Sequence, residues 1–149
     1  MAIPLVAATY AAPLSFITSP DFALWMVGPK TIANHVVPII TAAAEAAGRP
    51  SPEIAVGLPV CVTADAEGAR ERAASTFGFY NNLPSYRAML DREGAGGPAD
   101  VAVVGDEESV AAQLTAMTEV GATAFVLPVF GSRDDRERTL TLLGSLASS

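Results

Sequence analysis

Two periods of hydrophobicity alternate along this chain. Short apolar runs rich in strand formers predict strands at about Ile3–Thr9, Phe22–Val27, Ile54–Thr63 and Ala124–Val129. Between and after them, apolar residues recur at three- and four-residue spacing. That spacing predicts helices over about Lys30–Ala47, Asp65–Phe79, Ser85–Arg92, Glu107–Val120 and Asp134–Leu146. Val101–Val104 is apolar but short, and reads equally as a helical turn or a strand. Tyr10–Asp21 and Glu93–Pro98 read as loops, the second a flexible one. Alternating strands and helices predict an α/β fold, a parallel sheet covered by helices. The local pattern does not choose between an open sheet and part of a barrel.

Details within these elements sharpen the expectation. In the first helix, Ile32, Val36, Ile39, Ile40, Ala43 and Ala47 fall on one face, and Pro38 predicts a kink or a loosened first part. In the third strand, Ile54, Val56, Leu58, Val60 and Val62 form a face of large residues. Ala55, Gly57, Pro59, Cys61 and Thr63 form a face of small ones, which either meets close-packed neighbours or borders a cavity. Pro59 cannot donate to a ladder, so a bulge or an edge is expected there. Thr63-Ala-Asp-Ala66 and Gly105-Asp106 read as helix caps. In the last helix the apolar residues Leu140, Leu142, Leu143 and Leu146 cluster late.

The segment Phe22 to Ile32 carries the most chemistry. An apolar strand stops at Gly28-Pro29, and a helix follows. Pro is well placed at a helix start, and Gly permits close backbone approach. A strand, a tight turn and a helix N-terminus is how α/β proteins hold phosphate groups. The bland alternative is an ordinary βα turn.

Composition narrows the classes. At 149 residues, half of them hydrophobic and 17% charged, the chain is one folded domain, 1–149, rather than a disordered one. The net charge of −7 and the lack of a Lys/Arg cluster argue against nucleic acid as a partner. No apolar run is long enough to predict a membrane span, and the apolar N-terminus lacks the basic flank of a signal peptide. One cysteine, Cys61, fits a reducing cytoplasm and reads as a buried thiol. The lone His35 reads as a packing or surface residue, and the run Arg133–Arg138 as a solvated helix start with local ion pairs. Neither a metal-ligand spacing nor a glycine-rich nucleotide fingerprint is present, and no catalytic constellation stands out.

Several segments together resemble the luciferase-like monooxygenase superfamily, in particular its deazaflavin-dependent (coenzyme F-420) oxidoreductases. They are Trp25-Met-Val-Gly-Pro-Lys-Thr31, His35-Val-Val-Pro38, Gly57-Leu-Pro-Val60 and the stretch Leu83 to Gly94. Pro98-Ala-Asp-Val101, Val104-Gly-Asp-Glu107 and the ending Gly121-Ala-Thr to Gly131 complete the set. The resemblance runs from Leu24 to the C-terminus and implies the C-terminal half of a (β/α)8 barrel, about four parallel strands with helices. A complete barrel takes about 250 residues.

The resemblance implies hydride transfer between a deazaflavin, coenzyme F-420, or alternatively FMN, and a small organic substrate. It places the cofactor's phosphate tail at two loops, represented here by Ala8 and by Met26, Val27, Gly28 and Pro29. The first loop departs from the family pattern, with Thr9-Tyr-Ala-Ala-Pro-Leu14 where a Gly-Pro turn is usual. Tyr80, Tyr86 and Arg87 flank a proline break after the third strand, where a barrel places functional loops. Tyr86 and Arg87 are candidate substrate contacts: an arginine pairs with anions and a tyrosine stacks. Half a barrel also predicts self-association, or a partner chain supplying the other half. The alternative is a non-catalytic remnant or binding module of the same fold.

Overall fold

The computed structural model describes residues 5–6 and 22–148, with side chains from residue 24 onward. Most of the first predicted strand and the whole Tyr10–Asp21 loop lie outside these residues. In chain order the elements are β1 (Leu5–Val6), β2 (Phe22–Trp25), α1 (Pro29–Thr31), a π-helical turn (Ile32–Val36) and α2 (Val37–Ala46). Then come β3 (Ile54–Gly57), β4 (Val60–Val62), α3 (Ala66–Phe77), a 3-10 turn (Gly78–Asn82), α4 (Pro84–Glu93) and α5 (Pro98–Val101). The rest is β5 (Val103–Gly105), α6 (Glu107–Glu119), β6 (Ala124–Val126) and α7 (Arg133–Ala147).

Every strand pairing is parallel. One sheet has the order β1-β6-β3-β2, and β4 pairs with β5 in a second. β2, β3 and β6 therefore lie side by side in chain order, as singly wound βα units do. β1 lies at the far edge, beyond β6, with Leu5 opposite Phe125.

Pro59 explains why one predicted strand became two. Leu58 N–H donates to the Val126 carbonyl and Val60 N–H to the Pro128 carbonyl, so the β6 side stays bonded across the break. On the other side the neighbour changes. Gly57 accepts from Met26, next to β2, whereas Pro59, with no N–H of its own, accepts from Val103 at the start of β5. The predicted disruption at Pro59 is thus a change of partner, and a parallel bridge of Val60 with Val129 continues the line.

Both faces of this broken strand are covered. Ile54, Val56, Leu58, Val60 and Val62 are buried beneath helices, with Val110, Leu114 and Met117 of α6 in the same core. On the small face the Trp25 ring lies over Gly57, where an added Cβ would sit 2.5 Å from Trp25 Cε3. Cys61 Sγ packs just as closely against Gly131. The small residues serve close packing here.

One helix face differs from the sequence reading. Of the apolar positions named in the first helix, Ile32, Val36 and Ile40 are buried; Ile39 is 56% exposed, and Ala43 and Ala47 are exposed. The cause is the π turn, in which Val37 N–H bonds to the Ile32 carbonyl, five residues back. The extra residue rotates everything after it and loosens the helix just before Pro38, whose missing N–H favours the wider turn. In α7 the buried side chains are Thr139 and Leu143, and Leu140 points outward. Thr139 Oγ accepts from the Val62 N–H at 2.8 Å, so a polar residue takes the inward position.

The two predicted caps form, and a third appears at Ser132. Asp65 accepts from Gly68 N–H, Asp106 from Ser109 N–H, and Ser132 forms a reciprocal capping box with Asp135. The Glu93–Pro98 segment, expected to be flexible, is instead tied down. Arg87 donates to the Ala95 and Gly96 carbonyls, and Gly96 N–H donates to Asp100.

Candidate functional site

β2 ends at Trp25, and the chain turns sharply at Met26. That residue has φ of 59°, a left-handed conformation rare outside glycine, and its side chain is buried. Strain of this kind, about 1–2 kcal/mol, persists only where packing fixes it, and it concentrates at functional sites. Val27 and Gly28 are buried, Pro29 is exposed at the first helical position, and Gly28 caps the helix without a side chain.

The helix N-terminus so formed holds an anion, and the anion is the chain's own. The Glu93 carboxylate, at the end of α4, accepts from Thr31 N–H at 2.8 Å, Lys30 N–H at 3.2 Å and Thr31 Oγ at 2.9 Å. Gly28 allows this approach: an added Cβ would lie 2.3 Å from Glu93 Cδ. The N–H groups of Val27 and Gly28 meet no acceptor among the described residues. The turn therefore holds an anionic group through backbone donors.

A cleft of about 240 Å³ opens beside the turn, with Pro29, Glu93 and Asp100 on its rim and Leu58, Val103 and Met117 among its apolar lining. A wider groove of about 500 Å³ lies elsewhere, where α6 meets α7. Its Arg138 is engaged bidentately by Glu107, at 2.9 and 2.8 Å, and this pairing holds the Glu107 carboxyl below its usual range. The local ion pairs expected in the charge run of α7 are not formed among the described residues; Arg138 pairs with Glu107 of α6 and Asp135 with Arg72 of α3 at 4.0 Å.

Trp25 faces an aromatic cluster. Its ring meets Tyr80 edge-on at 5.9 Å and Phe77 at 6.4 Å, and Tyr80 meets Tyr86 at 4.9 Å. The Trp25 Nε1 donor is buried without a hydrogen-bond partner among the described residues. Sequence reasoning did not single out Trp25 or Glu93. Glu93 carried no local signal, because its partners lie 62 and 63 positions away.

The predicted residues separate into groups. Met26, Val27, Gly28 and Pro29 form one turn, and Ala8 lies outside the described residues. Tyr86 is half-buried in the aromatic cluster. Arg87 is occupied by its own neighbours: Asp91, Asn81 and the Ala95 and Gly96 carbonyls take its donors. Cys61 is fully buried, and burial, then the nearby Asp135, push its thiol pKa up, which is the opposite of an activated nucleophile. His35 is partly exposed in the π turn. Among the described residues no cluster of His, Cys, Asp or Glu could hold a metal, and no helix is long and apolar enough to cross a membrane.

Parallel strands alternating with helices, and a candidate site at a strand's C-terminal end, define an α/β protein of partial TIM-barrel type. The comparisons agree in fold. No family model and no curated protein matches the chain. Thirteen solved chains do. Among solved structures the chain is similar to an F420-dependent secondary alcohol dehydrogenase in complex with an F420-acetone adduct, with a TM-score of 0.65 and 17% identity. The match covers 85% of this chain and 42% of that one, so the chain spans about two fifths of that enzyme's length. At this identity the likeness establishes the fold alone.

Proposed function

We propose that this chain is the cofactor-binding part of an oxidoreductase that transfers hydride between coenzyme F-420 and a small organic substrate, FMN being the alternative cofactor. The observation that carries the reading is the β2–α1 turn, whose Lys30 and Thr31 N–H groups hold a carboxylate at the C-terminal end of a barrel-type strand. The similar F420-dependent secondary alcohol dehydrogenase, which holds an F420-acetone adduct, supports the choice of cofactor.

When bound, the deazaflavin supplies the hydride chemistry. The chain's own part is to hold and orient it. Met26, Val27, Gly28 and Pro29 would form the turn that holds the phosphate tail, with Val27 and Gly28 supplying backbone N–H donors and Ala8 lying on the other loop. Tyr86, packed against Tyr80, is a candidate substrate contact. Arg87 acts on the substrate side through the Ala95–Gly96 loop that it holds.

We further propose that residues 1–149 form one half-barrel domain that works in the cytoplasm. It is completed by a second copy or by a chain carrying the other half. β2 pairs only with β3, and β5 only with β4, among the described residues, so each carries an open edge that invites pairing.

A second reading, a remnant or binding module without catalysis, is favoured by one feature: the anion site and Arg87 are both engaged within the chain. The sole tryptophan separates the two, because Trp25 adjoins the turn. Titrating coenzyme F-420 into the purified chain should quench Trp25 emission saturably, with FMN as competitor. A flat titration favours the module.

A further inference from the structure

β1 and β2 follow one another in the chain, yet they stand at opposite edges of the main sheet, whose order is β1-β6-β3-β2. β1 lies beyond β6, with Leu5 opposite Phe125, and not beside β2. Both edges are open among the described residues. The ladder shows which groups β2 leaves free. Its residues pair with β3 from Phe22 opposite Ile54 to Trp25 opposite Gly57, and the next N–H, that of Met26, donates to the Gly57 carbonyl. Successive residues of a strand turn their N–H and C=O groups to alternate sides, so Leu24 bonds toward β3 and Ala23 presents its N–H and C=O to the open edge. Every pairing in the sheet is parallel, so the two edges match in direction. A two-fold axis along the strands sets β2 of one copy beside β1 of another, twice over, and keeps every pairing parallel. Two copies then supply eight parallel strands, the number that closes a TIM-type barrel.

We propose that the partner completing this half-barrel is a second copy of the chain, docked through two identical β1–β2 seams about a two-fold axis parallel to the strands. The inference rests on the half-barrel reading and chooses between the two partners that reading allows. The position of β1 carries the choice. Beside β2 it would leave β6 as the second edge; beyond β6 it makes the fourth strand of a half whose two edges fit each other. Closure pairs both edges of the main sheet, and closing a sheet on itself is what removes exposed edges outright. An isologous pairing of β2 with β2 would be antiparallel and would leave β1 open.

The test uses the full chain. Light scattering on the wild type should give twice the monomer mass. Ala23→Pro removes an edge N–H without touching the β2–β3 ladder, so it should give a monomer with an unchanged circular dichroism spectrum. A short bis-maleimide linker reads the direction: Leu5→Cys mixed with Ala23→Cys should cross-link, and Ala23→Cys by itself should not. Cys61 is buried and stays silent. Should Ala23→Pro fail to fold, amide exchange at Ala23 in the wild type takes its place, with protection expected to appear only as concentration drives dimerisation. A wild type that stays monomeric at every concentration, with the Ala23 amide unprotected, overturns the second copy as partner and leaves the half-barrel reading to a different chain. A dimer that survives Ala23→Pro, or that leaves the Ala23 amide unprotected, overturns the β1–β2 seam, as does cross-linking of Ala23→Cys to itself. A monomer whose Ala23 amide is protected at every dilution overturns the half-barrel reading, because its edge is then already paired.

Discussion

Replacing Gly28 by alanine isolates the contact between the β2–α1 turn and Glu93. Gly28 has φ of −86° and ψ of 173°, a conformation any residue adopts, so backbone strain plays no part. The perturbation is steric: the new Cβ would lie 2.3 Å from Glu93 Cδ and 2.6 Å from Oε1. Glu93 must swing away and lose its bonds to Lys30 N–H, Thr31 N–H and Thr31 Oγ. Hydrogen bonds to a charged group contribute about 1.5–3 kcal/mol each, and the partial exposure of Glu93 reduces the set to about 2 kcal/mol. Alanine at an N-cap costs about 0.5–1 kcal/mol more than glycine. Gly28→Ala should therefore destabilise the wild-type chain by about 3 kcal/mol. In a Glu93→Ala background only the capping cost of about 0.5–1 kcal/mol should remain. Urea unfolding followed by circular dichroism and Trp25 emission, on all four members of the cycle, measures the difference. An interaction energy near 2 kcal/mol is expected. If Gly28→Ala costs the same in both backgrounds, the turn and Glu93 are not in the contact described.

Thr139→Val should destabilise by about 1–3 kcal/mol, because the buried Val62 N–H loses its acceptor; Thr139→Ser should restore most of it in the same urea assay. Hydrogen bonds from Ser132, chiefly, hold the Asp135 carboxyl below the usual carboxylate range. Its folded pKa lies below its unfolded one, so its contribution is present above about pH 4 and fades as pH falls further. Asp135→Asn should thus flatten the acid limb of a stability-against-pH curve; an unchanged limb would count against the capping box. Cys61, buried with a raised pKa, should resist an aromatic disulfide reagent in native buffer and react fully in urea. Rapid native labelling would contradict its packing against Gly131.

Much of the fold was legible because its signals are local. Strand and helix periods and the Asp65 and Asp106 caps need only a few neighbouring residues. The misread positions depend on longer relations. Ile39 left the core because a π turn upstream added one residue to the count, and Pro38 signalled loosening without giving its phase. Pro59 signalled disruption, but the exchange of β2 for β5 beside it depends on where Val103 comes to lie. The Glu93–Pro98 loop looked flexible because Gly94, Gly96 and Gly97 are permissive, yet Arg87 holds it through carbonyls that no composition rule weighs. At the candidate site the Met26–Pro29 turn was visible as a strand, a Gly-Pro turn and a helix start. Its partner Glu93 was invisible, since a carboxylate 62 residues away acquires meaning only once the chain has folded.

The central claim is that the Met26–Pro29 turn takes the anionic tail of coenzyme F-420. The most direct measurement is an amide correlation spectrum of the labelled chain during titration with the coenzyme. The account predicts saturable shifts concentrated at Val27, Gly28, Lys30 and Thr31, with a matching change at Glu93 as its carboxylate leaves. Shifts confined to other residues, or none at saturating coenzyme, would contradict it.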